Sequence, residues 1–230
     1  MCAQSQRLSP VDAAWYQMEH PTNLMMITGV LLLRGRMDVA RIRATFAARF
    51  LQSRRFRQRV IPPALGIGLP FWEDDPHFDM DAHIHHIALP QMDRGEGDDS
   101  APKTGADAAH EALMELLADL SSTPLDYTKP LWQMHLVGGV TLEDGSEGSA
   151  LIMRLHHCVG DGSALVAVAM RLMDSEPDAP LVIPPPFKKR PARGMLATVA
   201  GTVTWLLSET REIVSTALQE GTESLNNPGR

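Results

Sequence analysis

The stretch ALIMRLHHCVGDG, residues 150–162, decides the predicted fold, because an apolar strand pattern runs directly into two histidines and a glycine-flanked turn. Side chains in a strand alternate between the two faces of a sheet. One face is expected to carry Leu151, Met153, Leu155 and His157, and the other Ile152, Arg154 and His156. The two histidines therefore point apart, which argues against one metal ion held by both rings.

His157 is the candidate general base of this turn. Imidazole titrates near neutral pH, and rigid backbone at a strand end sets the direction of the ring. His156 is expected in a supporting role, and Asp161 is expected to hold the turn by capping the next helix or by a charge-assisted hydrogen bond. Gly160 and Gly162 allow positive φ and leave room for a substrate. Two histidines at a strand end can also be surface or core residues without a catalytic role. The complete HHxxxDG spacing favours the catalytic interpretation.

The rest of the chain predicts an α/β protein, because strand and helix patterns alternate along residues 1–175. Ser9 and Asp38 are expected to cap the first two helices. Residues 25–33 form a nearly continuous apolar run, which predicts a strand covered on both faces. Further strands are predicted near residues 71–72, 83–89, 132–140 and 150–157, the last two as a hairpin, and further helices at residues 107–120 and 163–173. The acidic segment 92–108 is predicted as an exposed loop.

The C-terminal region is predicted to lie apart from this domain. Residues 184–194 (PPPFKKRPARG) are rich in proline and basic residues, which predicts an extended linker after an N-terminal domain of residues 1–183. Beyond it, apolar residues recur at helical spacing, which predicts a long amphipathic helix over 195–220 and a polar tail over 221–230. Such a stripe needs a partner, which can be another domain, another subunit or a lipid surface.

Composition excludes several classes of protein. The chain has 230 residues, of which 44% are apolar and 21% are charged, so it can bury a core of its own. The formal net charge of −7 argues against a general nucleic-acid binder. Two cysteines cannot form a disulfide framework. The N-terminus lacks a secretory signal pattern and no apolar stretch reaches the roughly 20 residues of a membrane span, so a cytoplasmic location is expected.

Segments around the histidines carry a family resemblance. HHCVGDG at residues 156–162 matches the HHxxxDG signature of the coenzyme-A-dependent acyltransferase superfamily. The segments LSPVD (8–12), EHP (19–21), STPLD (122–126) and PLW (130–132) narrow this match. Residues 8–175 therefore resemble the N-terminal half of bacterial wax ester synthase/diacylglycerol acyltransferases. The resemblance implies a chloramphenicol-acetyltransferase-like sandwich, one half of a two-domain enzyme.

What the resemblance implies about function is transfer of a long-chain fatty acyl group from acyl-coenzyme A to diacylglycerol or a long-chain alcohol. The product is triacylglycerol or a wax ester, and His157 would be the base. Acyl-coenzyme A is a co-substrate and no cofactor is implied. The implied partner is the C-terminal half of the same enzyme, while a membrane or lipid-inclusion surface and a homo-oligomer stay open. The alternatives are a non-catalytic half that binds lipid or a partner, and a peptide-synthetase condensation-type domain.

Other residues have two interpretations each. Pro130, Leu131 and Trp132 either start a buried strand or, by the resemblance, shape the wall of the substrate channel. The basic run at residues 54–59 is either a solvated helix end or a site for the phosphates of coenzyme A. His83 and His85 share a strand face, but no further ligand at suitable spacing completes a metal site, so no metal is expected.

Overall fold

The computed structural model describes residues 6–63, 66–89, 105–160, 162–174, 176, 179–181 and 183. The helices are α1 (Pro10–Met18), α2 (Val39–Arg49), α3 (Gly105–Ser122) and α4 (Gly162–Leu172). The strands are β1 (Gln6–Arg7), β2 (Met26–Arg34), β3 (Gln58–Ile61), β4 (Phe71–Asp74), β5 (Ile84–Ala88), β6 (Trp132–Thr141) and β7 (Glu147–His156). Short 3-10 turns cover Arg54–Arg57 and Met80–Ala82. This mixture confirms the predicted α/β class, whereas the linker 184–194, the helix 195–220 and the tail 221–230 lie outside the described residues.

The described strands form two sheets. The smaller sheet has the order β1-β4-β3 and is antiparallel. The larger sheet has the order β2-β7-β6-β5, in which β5 and β6 run parallel and the other neighbours are antiparallel. β7 is therefore an interior strand, and its C-terminal end delivers the two histidines.

β6 and β7 form the predicted hairpin, with Trp132 opposite Leu155 and Thr141 opposite Glu147. The turn between them is closed by hydrogen bonds that join the backbone of Leu142 with those of Ser146 and Gly145. Gly145 has φ near +78°, a conformation that glycine adopts without strain. The turn joins the two strands directly, and their register shifts once, between Gly138 and Val140.

Side chains of β7 alternate as predicted. The face that carries Leu151, Met153 and Leu155 packs against Phe46 and Phe50 of the α2 region. The opposite face carries Ala150 and Ile152, which pack with Leu113 and Leu120 of α3. The sheet is thus a layer between α2 and α3, and the core is divided between its two faces.

The first two helices begin where predicted. The Ser9 hydroxyl accepts a hydrogen bond from the N–H of Asp12 at 3.1 Å, and Pro10 opens α1 without needing a donor. The Asp38 carboxylate accepts from the N–H of Arg41 at 3.1 Å at the start of α2. Each cap satisfies a helix N–H that has no partner within its own helix.

Strand β2 is not covered on both faces, and that prediction is wrong. β2 pairs with β7 alone among the described strands and lies at the edge of the sheet. Val30 is 38% exposed and Leu32 is 57% exposed. An apolar run at a sheet edge resembles one at the sheet centre in sequence, because composition does not record how many neighbours a strand has.

Two element boundaries also differ from their predicted positions. β7 ends at His156, the residue opposite Met26, so His157 is the first residue after the strand rather than its last. α3 begins at Gly105 and continues to Ser122, so it takes up the end of the predicted acidic loop. The rest of that loop, residues 90–104, lies outside the described residues.

Candidate active site

His157 lies directly after β7, where backbone and ring contacts both hold it. Its N–H donates to the carbonyl of Met25 at 2.9 Å. Its imidazole ring stacks on the indole of Trp15, with ring centroids 4.6 Å apart and planes 20° apart. The residue is half-buried, so part of it stays open to a substrate. The geometry suits a general base, which needs a fixed ring that a substrate can approach.

His156 is enclosed in the protein and cannot take the same role. It is 1% exposed, and its N–H donates to the carbonyl of Leu131 at 3.1 Å. Its Nδ1 accepts from the N–H of Cys158 at 3.0 Å, so the proton of the neutral ring is on Nε2. Burial, followed by the charge of His157, lowers the pKa of His156 to about 4. His156 is therefore a neutral ring at neutral pH that shapes the turn.

Glu19 connects the two histidines, a link that the sequence did not reveal. One carboxylate oxygen lies 3.7 Å from Nε2 of His156 and accepts a hydrogen bond from the N–H of Met25. The carbonyl of Met25 in turn accepts from the N–H of His157. Glu19 directly follows α1, so the helix that carries Trp15 also brings this carboxylate beneath the turn. The segment EHP marks the position of Glu19 in the sequence, but no local pattern assigns it a role.

Two tyrosines complete the surroundings of His156. Tyr127 lies edge-on to its ring at 5.8 Å between centroids, and Tyr16 lies 6.1 Å away. Burial, followed by the charge of Glu19, raises the pKa of Tyr127. Burial also raises the pKa of Tyr16. Both phenols therefore stay protonated at neutral pH and form an aromatic wall beside the buried ring.

The motif turn then enters α4. The N–H of Val159 donates to the carbonyl of His156 at 2.9 Å, which closes the turn. Gly162 is the first residue of α4. Asp161 lies outside the described residues, so its predicted part in holding the turn stays a prediction, as does the part of Gly162.

Cys158 is not prepared for nucleophilic chemistry. Its side chain is buried in the cluster formed by α1 and the smaller sheet. Burial raises the pKa of the thiol, so the reactive thiolate is not populated at neutral pH.

Pro130, Leu131 and Trp132 are all buried. The indole Nε1 of Trp132 donates to the carbonyl of Phe56 at 2.8 Å, and its ring stacks on His83 at 4.5 Å between centroids. The carbonyl of Leu131 accepts from the N–H of His156. The segment therefore supports the site from beneath, and contact with a substrate remains a prediction.

The basic run is paired with the smaller sheet. Arg54 forms an ion pair with Asp74 at 2.9 Å, and Arg59 forms one with Glu73 at 2.8 Å. The guanidinium of Arg55 lies 3.8 Å from the centroid of the Trp72 ring. The run is not a solvated helix end, because its residues form a 3-10 turn and a strand whose neighbour β4 carries acidic residues.

His83, directly before β5, and His85 of β5 make contacts with other rings. Nδ1 of His83 lies 2.8 Å from the carbonyl of Trp132, and His85 stacks on His135 at 5.0 Å. Over the described ranges, no group of three His, Cys, Asp or Glu side chains comes together in a form that could hold a metal ion. In the same ranges, no helix has the length and apolar character that a membrane crossing needs.

Comparisons with solved structures identify the fold. The wax ester synthase/diacylglycerol acyltransferase from Marinobacter aquaeolei VT8 superposes with a TM-score of 0.56 at 23% identity, covering 90% of this chain and 47% of that one. The starter condensation domain of rhizomide synthetase superposes with a TM-score of 0.53 at 15% identity, covering 74% of this chain and 36% of that one. Both likenesses concern the fold alone.

Comparisons of sequence identify the family. A probable diacylglycerol O-acyltransferase (tgs3) of Mycobacterium tuberculosis is 32% identical over 171 residues, which cover 73% of this chain and 56% of the relative. A putative diacylglycerol O-acyltransferase of the same species is 35% identical over 136 residues, which cover 59% of this chain and 25% of that relative. The chain thus spans about half the length of the first relative and 25% of the length of the second. The model of the wax ester synthase/diacylglycerol acyltransferase catalytic domain matches residues 8–228, so the chain belongs to that family.

Proposed function

We propose that this chain takes part in transferring a long-chain fatty acyl group from acyl-coenzyme A to the hydroxyl of diacylglycerol or a long-chain alcohol. The observation that carries the proposal is His157, half-buried at the end of β7 within HHxxxDG and held by Met25 and Trp15. Family membership supplies the reaction class. An alcohol is a weak nucleophile, so a base at this position has a clear task.

The proposed steps use His157 twice. A ring nitrogen takes the proton of the acceptor hydroxyl while the oxygen forms a bond to the thioester carbonyl carbon. The tetrahedral intermediate then breaks its carbon–sulfur bond, and the imidazolium returns the proton to the thiolate of coenzyme A. The products are an ester and free coenzyme A, and no cofactor takes part. In this proposal Asp161 holds the turn, Gly162 leaves room for the substrate, and Pro130, Leu131 and Trp132 support one wall of the channel.

The architecture that we propose is one half of a chloramphenicol-acetyltransferase-like sandwich. The linker 184–194 and the amphipathic helix 195–220 would lead to a C-terminal half, which supplies the other wall of the site. The covered fractions support this arrangement, since the matched region is 56% of the first relative and 47% of the Marinobacter chain. A membrane or lipid-inclusion surface is the proposed location of the lipid substrates.

The test is ester formation by the complete polypeptide that contains this sequence. With a long-chain acyl-coenzyme A and either acceptor, His157→Ala is expected to lower kcat by about 10²-fold to 10⁴-fold, the usual contribution of a general base. His86→Ala is the matched control, because His86 is exposed on β5. Full activity in His157→Ala would remove His157 from the mechanism.

The same assay separates the alternatives. Liposome binding by a folded protein without any turnover would indicate a non-catalytic lipid-binding half. Turnover with a carrier-protein thioester, and none with acyl-coenzyme A, would indicate a condensation-type enzyme.

A further inference from the structure

The stacked pair of Trp15 and His157 joins the first helix to the candidate base across more than half of the chain. The centroids lie 4.6 Å apart with planes 20° from parallel, which is face-to-face contact. Trp15 is half-buried and packs against the cluster of Ala13, Leu131 and Cys158. One face of the indole is therefore free to meet the imidazole while the rest of the ring is held by the core.

The backbone contact of His157 leaves the direction of its ring unset. The hydrogen bond from its N–H to Met25 fixes the main chain, but the terminal torsion of a histidine has a broad energy profile. Among the described residues, none makes a hydrogen bond to the imidazole ring. The indole face is thus the described contact that restrains the plane of the imidazole, and with it the line along which a ring nitrogen meets a substrate.

We propose that Trp15 is a positioning residue for His157: its indole holds the plane of the imidazole and stabilises the imidazolium that forms during acyl transfer. The second of these roles, stabilising the imidazolium, rests on the proposed function. An aromatic face attracts a cation, and this attraction is present only while His157 carries the transferred proton. An interaction made only at that stage raises kcat and leaves KM nearly unchanged.

The kinetic test compares two substitutions at one position in the complete polypeptide. Trp15→Phe keeps an aromatic face and is expected to retain kcat within about threefold. Trp15→Leu keeps apolar bulk without that face, and kcat is expected to fall roughly tenfold, with KM within about twofold. Leu69→Ala is the control, because Leu69 packs against the same cluster and is expected to lose stability without this change in kcat.

A spectroscopic test measures the stack without any turnover. In the wild-type chain, the ring C–H resonances of His157 are expected upfield of their usual positions, because they lie over the indole face. Trp15→Leu should return them to usual values, and Trp15→Phe should keep part of the shift. Unshifted His157 resonances in folded wild-type protein would overturn the proposal, even if no variant folds.

The two proposals fail in different ways. Wild-type activity in His157→Ala would contradict the proposed function. An inactive His157→Ala together with unchanged kcat in Trp15→Leu would contradict only the positioning role. Equal losses of kcat in Trp15→Phe, Trp15→Leu and Leu69→Ala would also overturn it, since they would show that packing alone matters.

Discussion

Arg154 is a buried charge on β7, with the side chain 2% exposed. One guanidinium nitrogen donates to Oε1 of Gln133 at 2.7 Å, and another donates to the carbonyl of Thr123, just beyond α3. Burial lowers its pKa, while the charge of Asp119 opposes that effect. The planar fork of arginine lets one side chain tie β7, β6 and the end of α3 together.

The first prediction compares two arginine-to-lysine substitutions. Arg154→Lys is expected to lower the free energy of unfolding by about 1 to 3 kcal/mol, because a single ammonium cannot reach both acceptors and leaves a buried one unpaired. Arg36→Lys is the control, since Arg36 pairs with Glu147 at the surface and such pairs contribute little. Urea unfolding measures both. Equal midpoints for the two variants would contradict the role of Arg154.

His135 predicts a pH dependence of stability. Its ring is buried, and neither ring nitrogen has a hydrogen-bond partner among the described residues. Burial, followed by the charges of His85 and Arg154, lowers its pKa from 6.5 to about 4. Between these pH values the unfolded chain binds the proton more readily than the folded chain. The free energy of unfolding is therefore expected to fall as the pH drops through this window.

The variant His135→Leu is expected to weaken that dependence, because it removes one group that titrates differently in the two states. Urea midpoints measured at several pH values from 7 to 4 are the check. His156, whose pKa is also about 4, keeps part of the slope in the variant. Parallel midpoint curves for wild type and variant would show that His135 does not titrate in this way.

At the scale of elements, the nine-residue helix α1 positions contacts to both histidines of the site. It places Trp15 against His157, and Glu19 follows its last turn. Its N-terminus is held by the Ser9 cap. Fraying of this helix would release contacts to both histidines at once.

Ser9→Ala is therefore expected to lower the free energy of unfolding by about 1 kcal/mol and to speed amide exchange in α1. Ser53→Ala is the matched control, because Ser53 precedes the 3-10 turn Arg54–Arg57 and makes no side-chain cap hydrogen bond. Urea unfolding and hydrogen exchange report the two effects. Identical losses in the two variants would mean that the Ser9 hydroxyl contributes nothing as a cap.

At the scale of the whole molecule, the site lies at one end of the larger sheet. α2 covers one face and α3 the other, while α1 and the smaller sheet close the end that carries His157. Large apolar side chains remain exposed on β2 and α4, among them Leu32, Val166 and Met170. Leu32 lies on the α3 side of the sheet and α4 lies on the α2 side, so these exposed side chains do not mark one shared binding surface.

The proposed architecture predicts that the 230-residue chain alone has little acyltransferase activity. We expect them to form no more ester than their His157→Ala variant, because the second wall of the channel would be missing. Ester formation from a labelled acyl-coenzyme A measures this. Clear turnover by the isolated wild-type chain, absent from the variant, would contradict the need for a C-terminal half.

Local patterns predicted much of the fold because their causes are local. Alternation along β7, the turn around Gly145 and the caps at Ser9 and Asp38 each depend on residues a few positions apart. The edge position of β2 could not be predicted, because it depends on which strands pair. The site divides in the same way, since HHxxxDG marks His157 but not its contacts.

The sequence by itself determined the α/β class, the hairpin that ends at the histidines and the alternation of side chains along β7. The tertiary structure alone decided that Trp15 stacks on His157, that Glu19 approaches His156 and that Arg154 is buried beneath α3. Periodicity reports which face of an element is apolar, because burial of that face stabilises it. Periodicity does not report which surfaces meet. Contacts between surfaces join residues that are far apart in the chain or that belong to different elements of the core.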